Sequence, residues 1–512
     1  MKHSNMTKQS SHTRCVAALI GSSKFFWGIL ALLALQAAWI ACSGRYPMAF
    51  DEDFHLGIIR LYAHHLSPFW SGQPAGADMF GAVFRDPSYL YQYLMSFPYR
   101  LISVFTSDQT IQVLWLRAIN IGLFAGGLAV YRRLLLKTGA SRAIVHGCLL
   151  VFVLIPVVPL LAAQINYDNL FIPLVGLALL MTVNFNEELT RNKRINPATL
   201  LQVLILCLLA SLVKYAFLPV FIAVVAYLVV RLWQVLKTPR QIWLAKVAAM
   251  KRLGTLSGLL LVMGMVISGG LFIERYGINL VRYHTPVPDC SKVLSVRACS
   301  AYAPWIRDNY LETHKNPTAS HSSVTFASDW LYGMWFRLFF AVDGPASNFE
   351  TRGPLVVPAV SAIVFAVACV PLVLGYLRRI FRLYDASVLG LLAAVTVLYI
   401  AVLWIDGFQA YVRTGQPVAI NGRYLLPVLL PLMLVSALAI NELFKRHTEL
   451  KLLVGCLAVL SLLWGGGALT YILRSRDGWY WPDPAVRTVN HAVQDTLGPV
   501  TPGYRHPGEF LR

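Results

Sequence analysis

FFWGILALLALQAAWIACSGRYPMAFDEDFHLGIIR, residues 25–60, sets the class of this chain. Its first half is apolar over about the 20 residues that carry a helix across a bilayer. Lys2, Lys8, Arg14 and Lys24 precede it. A basic segment before an apolar run is also the pattern of a signal peptide. This run is long for one, and Cys42-Ser43-Gly44-Arg45 lacks the small-x-small cleavage pattern. The stretch therefore reads as an uncleaved first transmembrane helix, with three adjacent acids just past its far end.

The rest of the chain follows the same pattern. It has 512 residues, 57% hydrophobic and 13% charged, where a soluble domain carries about 25% charged residues. Mean hydropathy is +0.59. Backbone polar groups in hydrocarbon need internal partners, so long apolar runs must be helices; the short alternating segments of a β-barrel are not visible. Runs at 25–43, 111–131, 143–163, 170–185, 198–213, 216–232, 255–273, 354–376, 387–405, 424–441 and 452–473 predict an all-α polytopic membrane protein of about eleven transmembrane helices.

Lys and Arg in short loops set the orientation. With the N-terminus in the cytoplasm, the inner segments hold roughly 23 basic groups against roughly five acidic ones. The much longer outer segments hold roughly 20 and 19. The net charge of +20 therefore gathers on the cytoplasmic face and is accounted for by topology and anionic lipid. No basic stripe interleaved with aromatics points to nucleic acid.

Residues 1–24 read as a cytoplasmic segment. Residues 25–473 read as one membrane domain with outer loops 44–110 and 274–353, and 474–512 as an extracytoplasmic tail. The outer loops are rich in aromatics, Pro and Gly, which suits short interfacial helices, and residues 329–342 are one candidate. The expected site is the cell (inner) membrane. Cys15, Cys42, Cys148, Cys207, Cys369 and Cys456 lie in or near apolar runs and read as small hydrophobes. Cys290 and Cys299 share one outer loop, and an oxidising compartment would join them in a disulfide.

Four places carry unusual polar residues. In Asp51-Glu52-Asp53-Phe54-His55, with Arg60 beyond, like charges raise one another's pKa unless a cation is near. Such a group can bind a divalent metal (Mg or Mn, on Asp51, Glu52 and Asp53) or supply a general base. A helix start capped by acids is the plainer account. Asn166 and Asp168 stand in a short outer turn, where Asn and Asp are ordinary. Lys214 interrupts two apolar runs at the outer end, a costly position unless it snorkels or meets a polar site. Arg423, followed by Tyr424, stands at an outer helix mouth. Its planar fork suits phosphate, although an interfacial anchor would look the same. The topology brings all four to one membrane face, which suits a phosphate-bearing lipid. No Walker A loop, His-Glu-x-x-His, Gly-x-Ser-x-Gly or dinucleotide fingerprint occurs.

Pro47 with Asp51-Glu52-x-x-His55, Asn166-x-Asp168, Leu212-Val213-Lys214-Tyr215 and Gly422-Arg423-Tyr424-Leu425-Leu426-Pro427 come in a familiar order. Over roughly residues 25–440 the chain resembles the GT-C superfamily of polytopic glycosyltransferases, and within it the bacterial DUF2142-like family. The resemblance implies inverting transfer of a hexosyl or pentosyl group from a polyprenyl-phosphate carrier. The acceptor would be a glycan, lipid or protein of the cell envelope, on the outer face. An acid of the first outer loop would be base or metal ligand. Met48-Ala49-Phe50 separate Pro47 from the acids, so Asp51 is the first choice, with Glu52 and Asp53 open as alternatives. His55, Arg60, Asn166, Asp168, Lys214, Arg423 and Tyr424 would bind substrate. A transporter or flippase of lipid-linked sugars is the competing class, although the paired broken helices of two related halves are not apparent. A non-catalytic envelope scaffold is the third.

Overall fold

The computed structural model describes residues 11–236, 255–315, 322–339 and 353–504. Lys2 and Lys8 of the N-terminal segment lie outside the described residues, as do Lys237, Arg240, Lys246, Lys251 and Arg252, residues 340–352, and residues 505–512 of the tail. Among the described residues every named element is helical, with one isolated antiparallel bridge between Gly44 and Tyr480.

Nine described helices are long and apolar enough to cross a membrane: Ser23–Ser43, Gln109–Leu136, Asp168–Asn192, Tyr215–Val235, Leu256–Tyr283, Val356–Leu383, Ala386–Thr414, Gly422–Leu443 and Thr448–Arg474. Arg142–Val153 and Pro197–Val213 are shorter apolar helices. Each coincides with one of the apolar runs read from sequence. The ends obey local rules: Ser22 accepts from the Phe25 amide, Asp108 from the Thr110 amide, and Asn196 caps a helix that starts on Pro197.

Two runs read as continuous are broken. The 143–163 run stops at Val153 and restarts at Val157; the 452–473 run stops at Leu463 and restarts at Ala468. Freed backbone groups in hydrocarbon cost several kcal/mol each, about the price of an unmade buried hydrogen bond. Here the breaks satisfy one another. Gly467 N donates to Leu154 O at 2.6 Å. Gln36 of the first helix serves both, donating to Val153 O at 3.3 Å and accepting from Ala468 N at 2.9 Å.

Pro431 poses a similar problem, because it cannot donate to the Pro427 carbonyl one turn back. The Tyr131 hydroxyl takes that place at 2.7 Å, joining the Gln109–Leu136 and Leu426–Leu443 helices.

Short helices cover one end of the bundle. Leu90–Phe105 exposes Leu94, Phe97, Leu101, Val104 and Phe105, a stripe at helical spacing that suits an interface. Ser323–Phe339 takes in most of the 329–342 candidate and buries Phe326, Trp330, Met334 and Leu338 on one face. The tail returns to the top of the first helix: Arg45 N donates to Trp479 O at 2.8 Å and Trp481 N to Ser43 O at 3.1 Å.

Candidate functional site

The Glu52–Ala63 helix begins after two consecutive left-handed residues, Phe50 (φ 63°) and Asp51 (φ 65°). L-residues other than Gly, Asn and Asp seldom take that conformation, so Phe50 must be held there. Its carbonyl is gripped twice, by Asn166 Nδ2 at 2.8 Å and by an Arg423 terminal nitrogen at 3.1 Å. The turn thereby carries the Asp51 carboxylate to the other Arg423 terminal nitrogen at 2.9 Å.

Three more elements complete the group. Asn166 Oδ1 accepts from the Asp168 amide at 2.9 Å and forms the turn that starts the Asp168–Asn192 helix. Lys214 is extended (φ −153°, ψ 124°) and separates Pro197–Val213 from the next helix. Its ammonium donates to Asp168 Oδ1 at 2.6 Å. It also lies 4.5 Å from the Tyr167 ring centre, 4.8 Å from Tyr424 and 5.5 Å from Phe171. Three aromatic faces around an enclosed cation replace part of its lost hydration. Arg423 follows Gly422 because the 323–339 helix leaves no room for a side chain there: a Cβ would collide with the Met334 carbonyl and the Leu338 amide.

The result is a quartet of two acids and two cations, Asp51, Asp168, Lys214 and Arg423, all at one end of the bundle. Lys214, Asp168 and Arg423 are buried, whereas the Asp51 side chain is 64% exposed. Arg423 Nε and Asp168 Oδ2 stand 3.8 Å apart, and neither has a hydrogen-bond partner among the described residues. Buried polar atoms are normally satisfied, and such a pair marks where a ligand group or water fits. Burial pushes the Asp51 carboxyl up, but the Arg423 charge and hydrogen bond outweigh it, with help from Lys214, and hold it below its ordinary value.

The other acids of the first loop have different surroundings. Glu52 is fully enclosed and its oxygens accept from Arg117 Nε at 2.9 Å, Arg117 Nη2 at 2.7 Å, and the Met48 and Ile165 amides at 2.8 and 3.1 Å. Arg117 also donates to the carbonyls of Ala41 and Gly44. Glu52 is thus a knot tying four segments and has no free oxygen for substrate. Asp53 is exposed. The three acids do not converge, and among the described residues no group of three or more His, Cys, Asp and Glu side chains is arranged to hold a metal ion. These donors do not fit the divalent-metal cage expected on Asp51, Glu52 and Asp53.

His55 is buried edge-on to Tyr167 at 4.5 Å, and Gln92 meets its Nδ1 at 3.2 Å. Burial above all, then Arg423 and Lys214, depress its pKa to about 3 against the pull of Asp51, so the ring is neutral. Arg60 stands over the Tyr99 ring at 5.9 Å, and no described hydrogen bond or ion pair joins it to the quartet.

Two residues escaped the sequence reading. Arg117 carried a usable signal, as a lone charge inside an apolar run. Asp86 sits in Arg85-Asp86-Pro87 of the first outer loop. It accepts from the Ser88 amide at 2.8 Å, and Ser88 Oγ accepts from the Tyr215 amide at 3.0 Å, a short path to the Lys214 hinge. Burial holds the Asp86 carboxyl above its ordinary value.

No protein-family model matches the sequence, and no curated protein matches it. Among solved structures the fold is similar to ArnT from Cupriavidus metallidurans bound to undecaprenyl phosphate, with 13% identity, 93% of this chain and 70% of that chain covered, and a TM-score of 0.44. It is similar to the Archaeoglobus fulgidus oligosaccharyltransferase tethered with an acceptor peptide, at 12% identity, 95% and 61% coverage and a TM-score of 0.43. A third likeness is to AglB from the same archaeon in complex with an inhibitory peptide and a dolichol-phosphate, at 12% identity, 91% and 59% coverage and a TM-score of 0.41. The chain spans less than two thirds of the length of the archaeal chains.

Proposed function

We propose that this chain is a membrane glycosyltransferase of GT-C type, which moves a sugar from a polyprenyl-phosphate carrier to a hydroxyl-bearing acceptor on the extracytoplasmic side of the cell membrane. The observation that carries the reading is the quartet. Two enclosed cations, one with an unsatisfied Nε, stand beside an acid that is paired with one of them and keeps an exposed side chain. The basic inner loops lie away from it: Asp385 N meets Thr138 O, Lys137 pairs with Glu187, and Arg379 pairs with Glu442. That separation supports an outward-facing site.

In this reading Arg423 and Lys214 receive the lipid phosphate. Asp51, ionised at neutral pH, accepts the proton of the acceptor hydroxyl. The acceptor oxygen bonds to the anomeric carbon from the face opposite the phosphate. The carbon–phosphate-oxygen bond breaks, and its electron pair leaves on the phosphate, whose growing charge the two cations stabilise. Configuration inverts. Phe50, Asn166 and Asp168 position these groups.

Asp51→Asn should lower transfer from a labelled undecaprenyl-phosphate sugar by about 10²–10⁴-fold, the usual contribution of a general base, with expression and thermal midpoint unchanged. Undiminished transfer would remove Asp51 from the chemistry. The transporter reading has less support. The two broken helices satisfy each other and Gln36 rather than presenting freed groups to the charged site. Translocation of the labelled lipid without a new glycosidic bond would favour it.

A further inference from the structure

Residues 284–315 form a strap with three fastenings, and it meets the Glu52–Ala63 helix through Tyr302 and Phe54. Cys290 and Cys299 are joined in a disulfide, and both are buried. Arg413, in the last turn of the Ala386–Thr414 helix, reaches both sides of that loop, meeting Asp289 at 3.6 Å and Asp308 at 3.5 Å. The Arg413 carbonyl accepts from Lys315 Nζ at 3.1 Å. Between the two Arg413 contacts the chain turns at Tyr302, whose amide donates to the Cys299 carbonyl at 2.9 Å.

Tyr302 is the point where the strap meets the site. Its ring lies against Gly81, which is left-handed (φ 73°); a Cβ there would stand 3.1 Å from the Tyr302 ring, a tight contact. The ring also approaches Phe54 at 6.4 Å, and Phe54 packs on Phe80 at 6.0 Å and on His55 at 5.5 Å. Burial foremost, then the Asp86 and Asp51 carboxylates, keep the Tyr302 phenol protonated. The ring thus stands over the start of the Glu52–Ala63 helix, on its Phe54 side and against Gly81.

We propose that the strap is a disulfide-locked seal over the aqueous mouth of the Asp51 cavity, with Tyr302 as the positioning residue that closes it. A donor lipid would reach the cations from the bilayer, so a seal on the other side would keep bulk water from competing with the acceptor. That purpose rests on the transferase reading; the seal itself can be tested without it. Asp51→Cys places a thiol beneath the strap, and a membrane-impermeant sulfonated maleimide probes its access, with the same protein lacking Asp51→Cys as background. Adding Cys290→Ser and Cys299→Ser should speed labelling at position 51 by about tenfold or more, the signature of local opening. Tyr302→Ala, which keeps the disulfide, should also speed it, and Tyr302→Phe should not. If the double serine protein is not monodisperse, the Tyr302 pair decides. Labelling at the Asp51→Cys rate in the strap-cut and Tyr302→Ala proteins would overturn the seal. Fast labelling in the strap-opened Asp51→Cys proteins, together with no sugar transfer by the protein that keeps Asp51, would uphold the seal and sink the transferase.

Discussion

Asp51 and Glu52 are adjacent and meet opposite fates. One keeps an exposed side chain beside Arg423; the other is spent on Arg117 and two amides in full enclosure. Removing one partner of a buried pair leaves an uncompensated charge. Glu52→Gln should therefore cost about 3–5 kcal/mol, read as a lowered thermal midpoint in detergent. Glu52→Leu combined with Arg117→Met should not restore the midpoint, because the Met48 and Ile165 amides and the Ala41 and Gly44 carbonyls would lose their partners. A wild-type midpoint for Glu52→Gln would show that the knot carries no stability. The sequence displayed the acid triplet plainly but could not say which member faces the cavity. Successive helical residues point about 100° apart, and the left-handed pair at Phe50 and Asp51 is imposed by partners more than a hundred residues away. Lys214 and Arg423 were legible as oddities because charge is rare at membrane depth, whereas Asn166 and Asp168 looked like ordinary turn residues and gained interest only by sharing the outer face. Their mutual contacts were not, since no local rule relates residue 51 to residue 423.

At the scale of elements, the Gly422–Leu425 turn is seated against the 323–339 helix, and the fit decides where Arg423 points. Gly422→Ala forces a methyl into backbone of that helix. Overpacking of this kind costs about 1–3 kcal/mol. The larger effect should be on the site: undecaprenyl phosphate binding weakened at least as much as in Arg423→Lys, measured by tryptophan quenching or calorimetry. Unchanged binding would mean that the helix does not position Arg423. The membrane helices themselves were readable, because hydropathy over a bilayer's length is a strong signal. Their interruptions were less so. Pro156 and the run Gly465-Gly466-Gly467 stood in view, but an apolar window averages over them. What makes the breaks tolerable is a contact between the two, with Gln36 bridging, and that exists only in three dimensions.

For the whole molecule, the reading requires one end of the bundle to hold every group of the site. Cysteines introduced as Gly72→Cys and Gln416→Cys should react with an impermeant reagent from outside intact cells. Lys193→Cys and Lys445→Cys should react only after lysis. Position 72 reports the loop of the acids, and position 416 the end of the chain leading to Arg423. Labelling of these two from opposite sides would dissolve the shared chamber and with it the proposed chemistry.

The clasp between residues 43–45 and 479–481 has a consequence for how the protein is made. The first helix and its acidic loop leave the ribosome long before Trp479 and Trp481, the backbone partners of Arg45 and Ser43, have been translated. Trp481 then also lies over Arg117, the anchor of Glu52, at 5.9 Å. The loop that carries Asp51 thus waits, incomplete, until residues 479–481 have been made, and its final shape arrives only with them.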